Sequence, residues 1–482
     1  MPHSIENQTI AIFGLGRSGL AVAKAVRDRG AFPTVYDQSS LENLAKPEIL
    51  SEAQDLDLKV VLNWDGTLPK SDLLVVNPAV RKDHPLILKL KDELEIISEV
   101  EFAYRISRAP ILAITGTNGK STTTVMLYRC LLAAGEEAIL CGNIFGSGYP
   151  EMALTDAAAN ATEDRVLVAE ISSFQLEWVR EFRPKVAGIT NITSDHLDRY
   201  EGVNDYAKTK LRIFAAQQED DFAVIRGHDP VVLKPKGPQV LTFGATAEHA
   251  HIDEDGISFF GERFLTANWS LQEPHNRANA AMAALMAYAF LKQKNAPVVQ
   301  GAIENRKAKS NAKRTVYSGR TAEITDSMPA VLLEPFEDMA PLKHRMEFLG
   351  ARNGIRVINN SMCTNPDAVV KSAQSVRDSV HLLLGGVNKG LSFKPVKAFL
   401  ANQRHRGYLF GRDSAEINAE LGGEIPIFDT MQEAFAAATV AAVSGEVIML
   451  APGCASSDQF RDFRHRGDVF TELAKEWLDH AN

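Results

Sequence analysis

Short apolar runs recur along the chain, and most are followed by a glycine- or asparagine-bearing turn and then a stretch of helical periodicity. Thr9 to Phe13 is such a run; after Gly14 to Gly19 comes an amphipathic pattern through Leu20, Ala23 and Val26. Thr34 to Asp37, Val60 to Leu62 and Leu73 to Val76 read as further strands. Ile111 to Ile114 leads into a glycine turn, then a helix from Lys120-Ser121-Thr122 through Val125, Met126, Leu127 and Leu131. Ala138 to Leu140, Arg165 to Ser173 and Val186 to Thr190 read as strands again. Tyr206 to Phe214 is helical, with Tyr206, Ala207, Leu211 and Phe214 on its apolar stripe, and His275-Asn-Arg-Ala-Asn279 opens another helix from Ala280 to Leu291. A last block holds strands at Ile355 to Ile358, His381 to Leu384, Gly407 to Phe410 and Val447 to Ala451. Strands alternating with helices predict an α/β protein built on parallel sheets.

Length adds a domain count. At 482 residues the chain accommodates roughly three domains of about 150 residues, with boundaries expected at 1–109, 110–341 and 342–482. Ala109-Pro110 marks the first of them. Residues 150 to 164 are Ala- and Asp-rich, which suits a helix and a surface loop. Residues 294 to 340 resist assignment: Lys307 to Arg314 is basic, and Leu332 to Met339 mixes acidic and apolar residues. A net charge of −9 argues against a general nucleic-acid binder. Met1 to Gln8 are polar and include Glu6, unlike a signal peptide. No apolar run approaches the ~20 residues that span a bilayer. Cys130, Cys141, Cys363 and Cys454 lack metal-type spacing and read as reduced thiols of a cytoplasmic protein.

The candidate chemistry lies in the turns. In Gly116-Thr-Asn-Gly-Lys-Ser-Thr122 a strand feeds a glycine turn and then a helix, so backbone N–H groups and the helix N-terminus converge on one point. Lys120 suits the β/γ-phosphates of ATP, and the Ser121 hydroxyl suits Mg²⁺. The eight-residue Walker pattern is incomplete, because Ile114 stands where its first glycine belongs; the competing reading is a turn that holds no ligand. Glu170 sits in an apolar strand, where a carboxylate is costly unless a cation or hydrogen-bond donors meet it. Mg²⁺ fits, and so would backbone amides or a basic side chain. Asp195, His196 and Asp198 follow the strand Val186 to Thr190, and a histidine there suits metal or phosphate. Composition alone makes Lys208, Lys210 and Arg212 a solvated basic face.

Gly14-Leu-Gly-Arg-Ser-Gly19, with Asp37 ending the next strand, is a dinucleotide-type fingerprint and predicts a Rossmann-like first domain. Any nucleotide diphosphate satisfies such a turn. A nicotinamide dehydrogenase is disfavoured because a second nucleotide site follows at Gly116. Asn77 to Val80 and His84-Pro85 occupy a loop at the same kind of strand end. In the last block, the loops Asn359 to Asn365, Gly385 to Lys389 and Pro452 to Asp458 should gather at one sheet edge.

These motifs, in this order, resemble the ATP-dependent Mur ligases, which build the peptide stem of bacterial cell-wall precursors. The resemblance rests on Gly116 to Ser121, Glu170-Ile-Ser-Ser-Phe-Gln-Leu-Glu177, Asn191 with Asp195 to Arg199, Lys210 to Phe214, His275 to Asn279, His344-Arg-Met-Glu347 and Ala455 to Phe460. It covers nearly the whole chain, and Ser-Ser-Phe-Gln-Leu points to the glutamate-adding branch. It implies a Rossmann-like UDP-binding domain, a central P-loop-type ATPase domain with a mostly parallel sheet, and a Rossmann-like amino-acid-binding domain.

The implied reaction adds D-glutamate to UDP-N-acetylmuramoyl-L-alanine through an acyl phosphate, by a protein acting as a monomer without nucleic acid or membrane. By resemblance, Gly116, Thr117, Asn118, Gly119, Lys120, Ser121, Thr122, Asn276 and Arg345 serve ATP. Ser121 and Glu170 hold one Mg²⁺, His196 helps to hold a second, and Lys210 matches a lysine that the family carbamylates to a metal ligand. Gly14, Gly16, Arg17, Ser18, Gly19 and Asp37 hold the UDP part, with Asn143 further along the substrate. Lys389 serves the reacting groups, and with Thr364, Ser456 and Phe463 it forms the amino-acid pocket. Two departures stand out. The family's Asp-Ser-Lys-Ala-Thr-Asn reads Asn360-Ser-Met-Cys-Thr-Asn365 here, and Asn77-Pro-Ala-Val80 replaces Ser-Pro-Gly. They motivate two alternatives: a divergent ligase for another amino acid, such as L-glutamate, or a weakly active regulatory paralogue.

Overall fold

The computed structural model describes residues 2–43, 47–197, 199–229, 231–232, 234–271, 273–294, 328–376 and 378–479. The basic run Lys307 to Arg314 and Asp198 lie outside them. Among the described residues the strands form three sheets. The first comprises β1 (Thr9–Phe13), β2 (Phe32–Tyr36), β3 (Lys59–Val61), β4 (Leu73–Val76) and β5 (Ile96–Ser98), all parallel in the order β3-β2-β1-β4-β5. Ile10 to Phe13 and Leu73 to Val76 are buried throughout, the pattern of strands covered on both faces. The strand order reverses between β1 and β4, which opens a crevice at their carboxyl ends.

The central sheet comprises β6 (Ile111–Thr115), β7 (Ala138–Gly142), β8 (Glu151–Met152), β9 (Val166–Glu170), β10 (Val186–Ile189), β11 (Phe222–Arg226), β12 (Gln239–Gly244), β13 (Ala250–Ile252), β14 (Gly256–Phe259) and β15 (Glu262–Leu265), in the order β15-β14-β13-β12-β11-β10-β6-β9-β7-β8. It is parallel except at β13-β14 and β14-β15, a pair of hairpins at one edge. The sequence reading did not mark β11 to β15: β13 to β15 are short and β15 is largely exposed, while β11 is buried. Helices Lys120–Ala133 and Pro274–Gln293 pack on this sheet and on each other. Alanines fill most of the buried positions from Ala278 to Leu291. Such small side chains let two helices and a sheet approach closely. Part of the unassigned tract is also core: Leu332 and Phe336, from helix Met328–Leu333 and the turn Glu334–Phe336, are fully buried.

The third sheet comprises β16 (Glu347–Arg352), β17 (Ile355–Asn359), β18 (Val380–Gly385), β19 (Arg406–Phe410), β20 (Ile427–Phe428) and β21 (Val447–Leu450), in the order β16-β17-β21-β18-β19-β20. Only β16 is antiparallel to its neighbour. The parallel run β17-β21-β18 brings the three loops named above to one edge. Two apolar clusters sandwich this sheet, one around Val369, Leu382, Phe393 and Met449, the other around Leu383, Phe435, Ile448 and Phe470.

By their contacts the residues gather into two compact units: one from 1–145, 149–192 and 207–339, the other from 146–148, 193–206 and 340–482. The segment that follows β10 therefore makes its tertiary contacts with the carboxyl-terminal residues.

Candidate active site

The phosphate loop leaves β6 at Thr115 and enters helix Lys120–Ala133 through Gly119. Gly119 has φ +81°, and a Cβ there would stand 2.6 Å from Asn279 Oδ1, so only glycine fits. The end of β10 holds the loop. Thr117 N donates to Asn191 O at 2.8 Å and Asn118 N to Asn191 Oδ1 at 3.2 Å, while Thr190 Oγ1 and Asn191 Nδ2 donate to Asn118 O at 2.6 and 3.0 Å. The N-cap residue is Gly119, and the helix start turns its partial positive charge towards the loop. Lys120 Nζ donates to Thr117 O at 2.9 Å, which keeps the ammonium folded over the loop.

Because β9 lies between β6 and β7, Glu170 ends its strand beside two loops at once. Ser121 Oγ donates to Glu170 Oε2 at 2.5 Å and Asn143 Nδ2 to Oε1 at 3.1 Å. Glu170 is buried whereas the Asn143 side of the loop is exposed. A hydroxyl, a carboxylate and an amide carbonyl are hard oxygen donors, the set Mg²⁺ takes. Lys210 corrects the compositional expectation of a solvated face: it is 1% exposed, and its Nζ donates to Thr115 Oγ1 at 3.3 Å. Arg212 is half-buried and donates to the carbonyls of Glu177 and Val179, at 2.7 and 2.5 Å, so it pins a turn. Lys208 alone of the three is exposed. As an ammonium, Lys210 would repel a cation; it fits the metal set only in a modified, anionic form.

Helix Pro274–Gln293 extends the site. Asn276 Nδ2 donates to Glu273 Oε2 at 2.8 Å, and Asn279 Nδ2 to Asn276 Oδ1 at 3.3 Å, a relay ending against Gly119. Thr190 was not legible as a site residue. Its role follows from β10 pairing with β6, a long-range fact.

In the first sheet, the crevice between β1 and β4 is lined by Gly14 and Gly16 on one side and Asn77 on the other. A Cβ at Gly14 would stand 2.7 Å from Asn77 Cβ, and one at Gly16 2.9 Å from Asn77 Nδ2. Asp37 spends both carboxylate oxygens on backbone, accepting from Leu15 N at 2.7 Å and Ser39 N at 2.8 Å, so it shapes the glycine loop. Gly16, Arg17, Ser18 and Gly19 begin helix Arg17–Arg27, which also has a glycine at its N-cap. The Arg17 guanidinium stacks 4.2 Å over the Phe145 ring. Phe145 follows Asn143 in its loop, so a cation–π contact ties the glycine loop to the loop beside Glu170.

The second unit carries the remaining residues. Lys389 Nζ donates to Asp195 Oδ1 at 2.7 Å, and Asn365 Nδ2 reaches Asp195 Oδ2 at 3.5 Å. His196 has φ +53°, its amide donates to Asp195 Oδ1 at 2.9 Å, and its Nε2 is 3.8 Å from Asp195 Oδ2. Asn365 also caps helix Pro366–Gln374 by accepting from Ala368 N at 2.8 Å. Val387 and Ala455 exchange backbone hydrogen bonds at 2.9 Å each, joining the loop of Lys389 to that of Ser456. Ser456 is buried and Thr364 half-buried. Ser361 Oγ donates to Phe463 O at 2.6 Å.

Asn360, where the family has an acid, accepts from Met346 N at 3.2 Å and donates to Ser372 Oγ at 2.8 Å. A carboxylate could only accept there, so the Ser372 hydroxyl would have to turn and donate. Met362 is half-buried, its amide bound to His344 O at 3.1 Å, and Arg345 N donates to Leu342 O at 2.9 Å in the same turn. Burial pushes the His344 imidazole below its ordinary range. Among the described residues, no group of three or more His, Cys, Asp or Glu side chains is placed to hold a metal. No helix among them is long and apolar enough to cross a membrane.

Comparison with known proteins identifies the family. Residues 114–287 match the Mur ligase middle domain and residues 344–454 the Mur ligase glutamate ligase domain. The chain is 35% identical over 486 residues to the UDP-N-acetylmuramoylalanine--D-glutamate ligase of Geotalea daltonii, covering 98% of each chain. It is 33% identical over 488 residues to the protein of the same name from Koribacter versatilis, covering 98% of this chain and 99% of that one. The crystal structure of MurF ligase from Thermotoga maritima in complex with ADP shares the fold, with a TM-score of 0.55 and 14% identity, covering 99% of this chain and 98% of that chain. Two matched domains and relatives aligned from end to end, on a chain whose phosphate loop, buried glutamate and strand-end loops stand as described, establish that it belongs to the Mur ligase family.

Proposed function

We propose that this protein joins D-glutamate to UDP-N-acetylmuramoyl-L-alanine in the cytoplasm, at the expense of ATP. The observation that carries the reading is the glycine turn into helix Lys120–Ala133, with Lys120 over the loop and Ser121 bonded to buried Glu170.

A carboxylate is a poor electrophile, so the alanyl carboxylate first attacks the γ-phosphorus of ATP and ADP departs. The amine of glutamate then attacks the acyl phosphate, and the tetrahedral adduct expels inorganic phosphate as the amide forms. The nitrogen loses its proton on the way. Phosphoryl transfer asks the protein mainly for position and charge. Lys120 and the amides of Gly116 to Thr122 hold the phosphates, and Asn276 and Arg345 serve the rest of the nucleotide. ATP and Mg²⁺ dependence is general to Mur ligases; Ser121 and Glu170 would hold the ion, whose charge offsets that of the phosphates. His196 belongs to a second metal position. Gly14 to Gly19 and Asp37 form the UDP site and Asn143 the approach to it, while Thr364, Lys389, Ser456 and Phe463 receive the amino acid. Lys210 reacts, as its free amine, with CO₂ to give a carbamate and a proton. The buried cation thereby becomes an anion that suits a metal site.

A second reading, a ligase for another amino acid, is favoured by Asn360 and Met362, because neither side chain supplies charge. Amino acids offered singly, with ATP and the sugar nucleotide, separate the two by phosphate release. D-glutamate alone is expected to support turnover. Faster release with L-glutamate or any other amino acid would replace the first reading by the second.

A further inference from the structure

Arg466 lies in the first turn of helix Phe463–Asp479 and is fully buried. Its guanidinium meets only uncharged acceptors: Nε donates to Ser361 Oγ at 3.1 Å, Nη2 to Ser361 O at 2.9 Å, and Nη1 and Nη2 to Cys454 O at 3.2 Å each. Among the described residues no carboxylate forms an ion pair with it. A buried charge without a counter-ion is costly, and three features show what this one does.

First, the guanidinium bridges segments that are remote in sequence. Ser361 belongs to the loop after β17, which carries Thr364. Cys454 belongs to the loop after β21, which carries Ser456. Ser361 Oγ also donates to Phe463 O at 2.6 Å, so the helix start is tied into the same knot. One planar group thus sets the spacing of three segments, a task for which a fork of fixed donors is suited and a lysine is not. Second, burial lowers the Arg466 pKa to about 10, so the group stays protonated at neutral pH. Third, its contact acceptors are carbonyl and hydroxyl oxygens, so among the described residues no carboxylate neutralises the charge at hydrogen-bond distance. Asp458 acts on it at longer range, without an ion pair between the two among the described residues.

We infer that Arg466 is a positioning residue of the amino-acid pocket, which sets the spacing of Thr364, Ser456 and Phe463 and whose positive charge, held by neutral acceptors, selects an amino acid with a carboxylate in its side chain. The inference rests on the pocket assignment proposed above.

The test compares the full-length protein with Arg466→Lys and Arg466→Met, measuring phosphate release against D-glutamate, D-glutamine, ATP and the sugar nucleotide. ATP titration of each variant reports whether it is folded. Arg466→Lys keeps the charge but loses the fork, and kcat/KM for D-glutamate should fall about 10-fold through KM, with the KM for ATP unchanged. Arg466→Met loses both, so the fall should reach about 100-fold, and the preference for D-glutamate over D-glutamine should shrink. Arg466→Lys decides the spacing claim by itself if Arg466→Met does not bind ATP. A glutamate KM unchanged in Arg466→Lys, or KM values for all three substrates rising together, would overturn the inference. Lack of D-glutamate turnover by the unmodified protein would instead sink the proposed function on which it stands.

Discussion

Lys389 Nζ stands 2.7 Å from Asp195 Oδ1, an ion pair between residues 194 positions apart, both largely shielded from water. The pair joins the loop after β18 to the segment that carries His196. Removing one partner strands a charge in a poorly solvated place. Lys389→Met should therefore cost about 1–3 kcal/mol of stability and raise the KM for D-glutamate. Asp195→Asn in the same chain should recover part of the stability but not the KM. Thermal unfolding of the two single variants and the double variant checks the coupling; strictly additive losses would refute it.

The bond from Ser121 Oγ to Glu170 Oε2 makes the carboxylate the anionic member of the site. Glu170→Gln keeps the shape and removes the charge. It should lower kcat by about 100-fold or more and raise the Mg²⁺ concentration needed for half-maximal rate. Lys120→Ala should abolish turnover while circular dichroism and the melting profile stay near those of the parent. Retained activity in Lys120→Ala would remove the phosphate-loop assignment.

Lys210 is buried beside Thr115, next to the phosphate loop. If its working form is a carbamate, Lys210→Ala should lose activity that short carboxylic acids partly restore. Titration of the variant with formate or acetate in the phosphate-release assay checks this. Full activity without any added acid would count against a metal role for Lys210.

Glu99 opens the helix Glu99–Ile106 and is 1% exposed. Burial raises its pKa, only partly opposed by bonds from Thr155 N, Thr155 Oγ1 and Gln175 Nε2. A carboxyl group whose folded-state pKa is raised holds its proton better in the folded chain than in the unfolded one. Its stabilising contribution is complete below the unfolded value and is lost as pH climbs through the folded one. Glu99→Gln, neutral at every pH and able to keep the Thr155 bonds, should melt progressively higher than the parent as pH rises above the ordinary glutamate range. A melting difference independent of pH would disprove the assignment.

All four cysteines are buried and free, and burial pushes the Cys363 and Cys454 thiols up to about 12. Thiolate is the reactive species, so none should react with a disulfide reagent at neutral pH until denaturant is added. Rapid labelling of Cys363 in native protein would show that the loop after β17 opens.

Glycine spacing and apolar runs carried much of the reading because the turn before Lys120 and the turn before Leu20 are local constraints. A tight strand-to-helix turn needs glycine at given offsets, whatever surrounds it. Lys210 and Arg212 misled for the converse reason. Their neighbours in sequence are polar, and what buries them is a sheet and a turn distant in the chain. Strands β13 to β15 escaped because short strands at a sheet edge owe their conformation to partners more than to pattern, whereas β11 is a buried apolar run that the pattern could have marked.

Sequence alone determined the α/β class, the order of the motifs and the two nucleotide-type turns, since each depends on residues a few positions apart. Only the tertiary structure decided that Asp195 meets Lys389, that Asn360 is held by Met346 and Ser372, and that Arg466 binds two loops with no acid paired to it among the described residues. Those contacts join positions far apart in sequence, and it is strand order that brings them together.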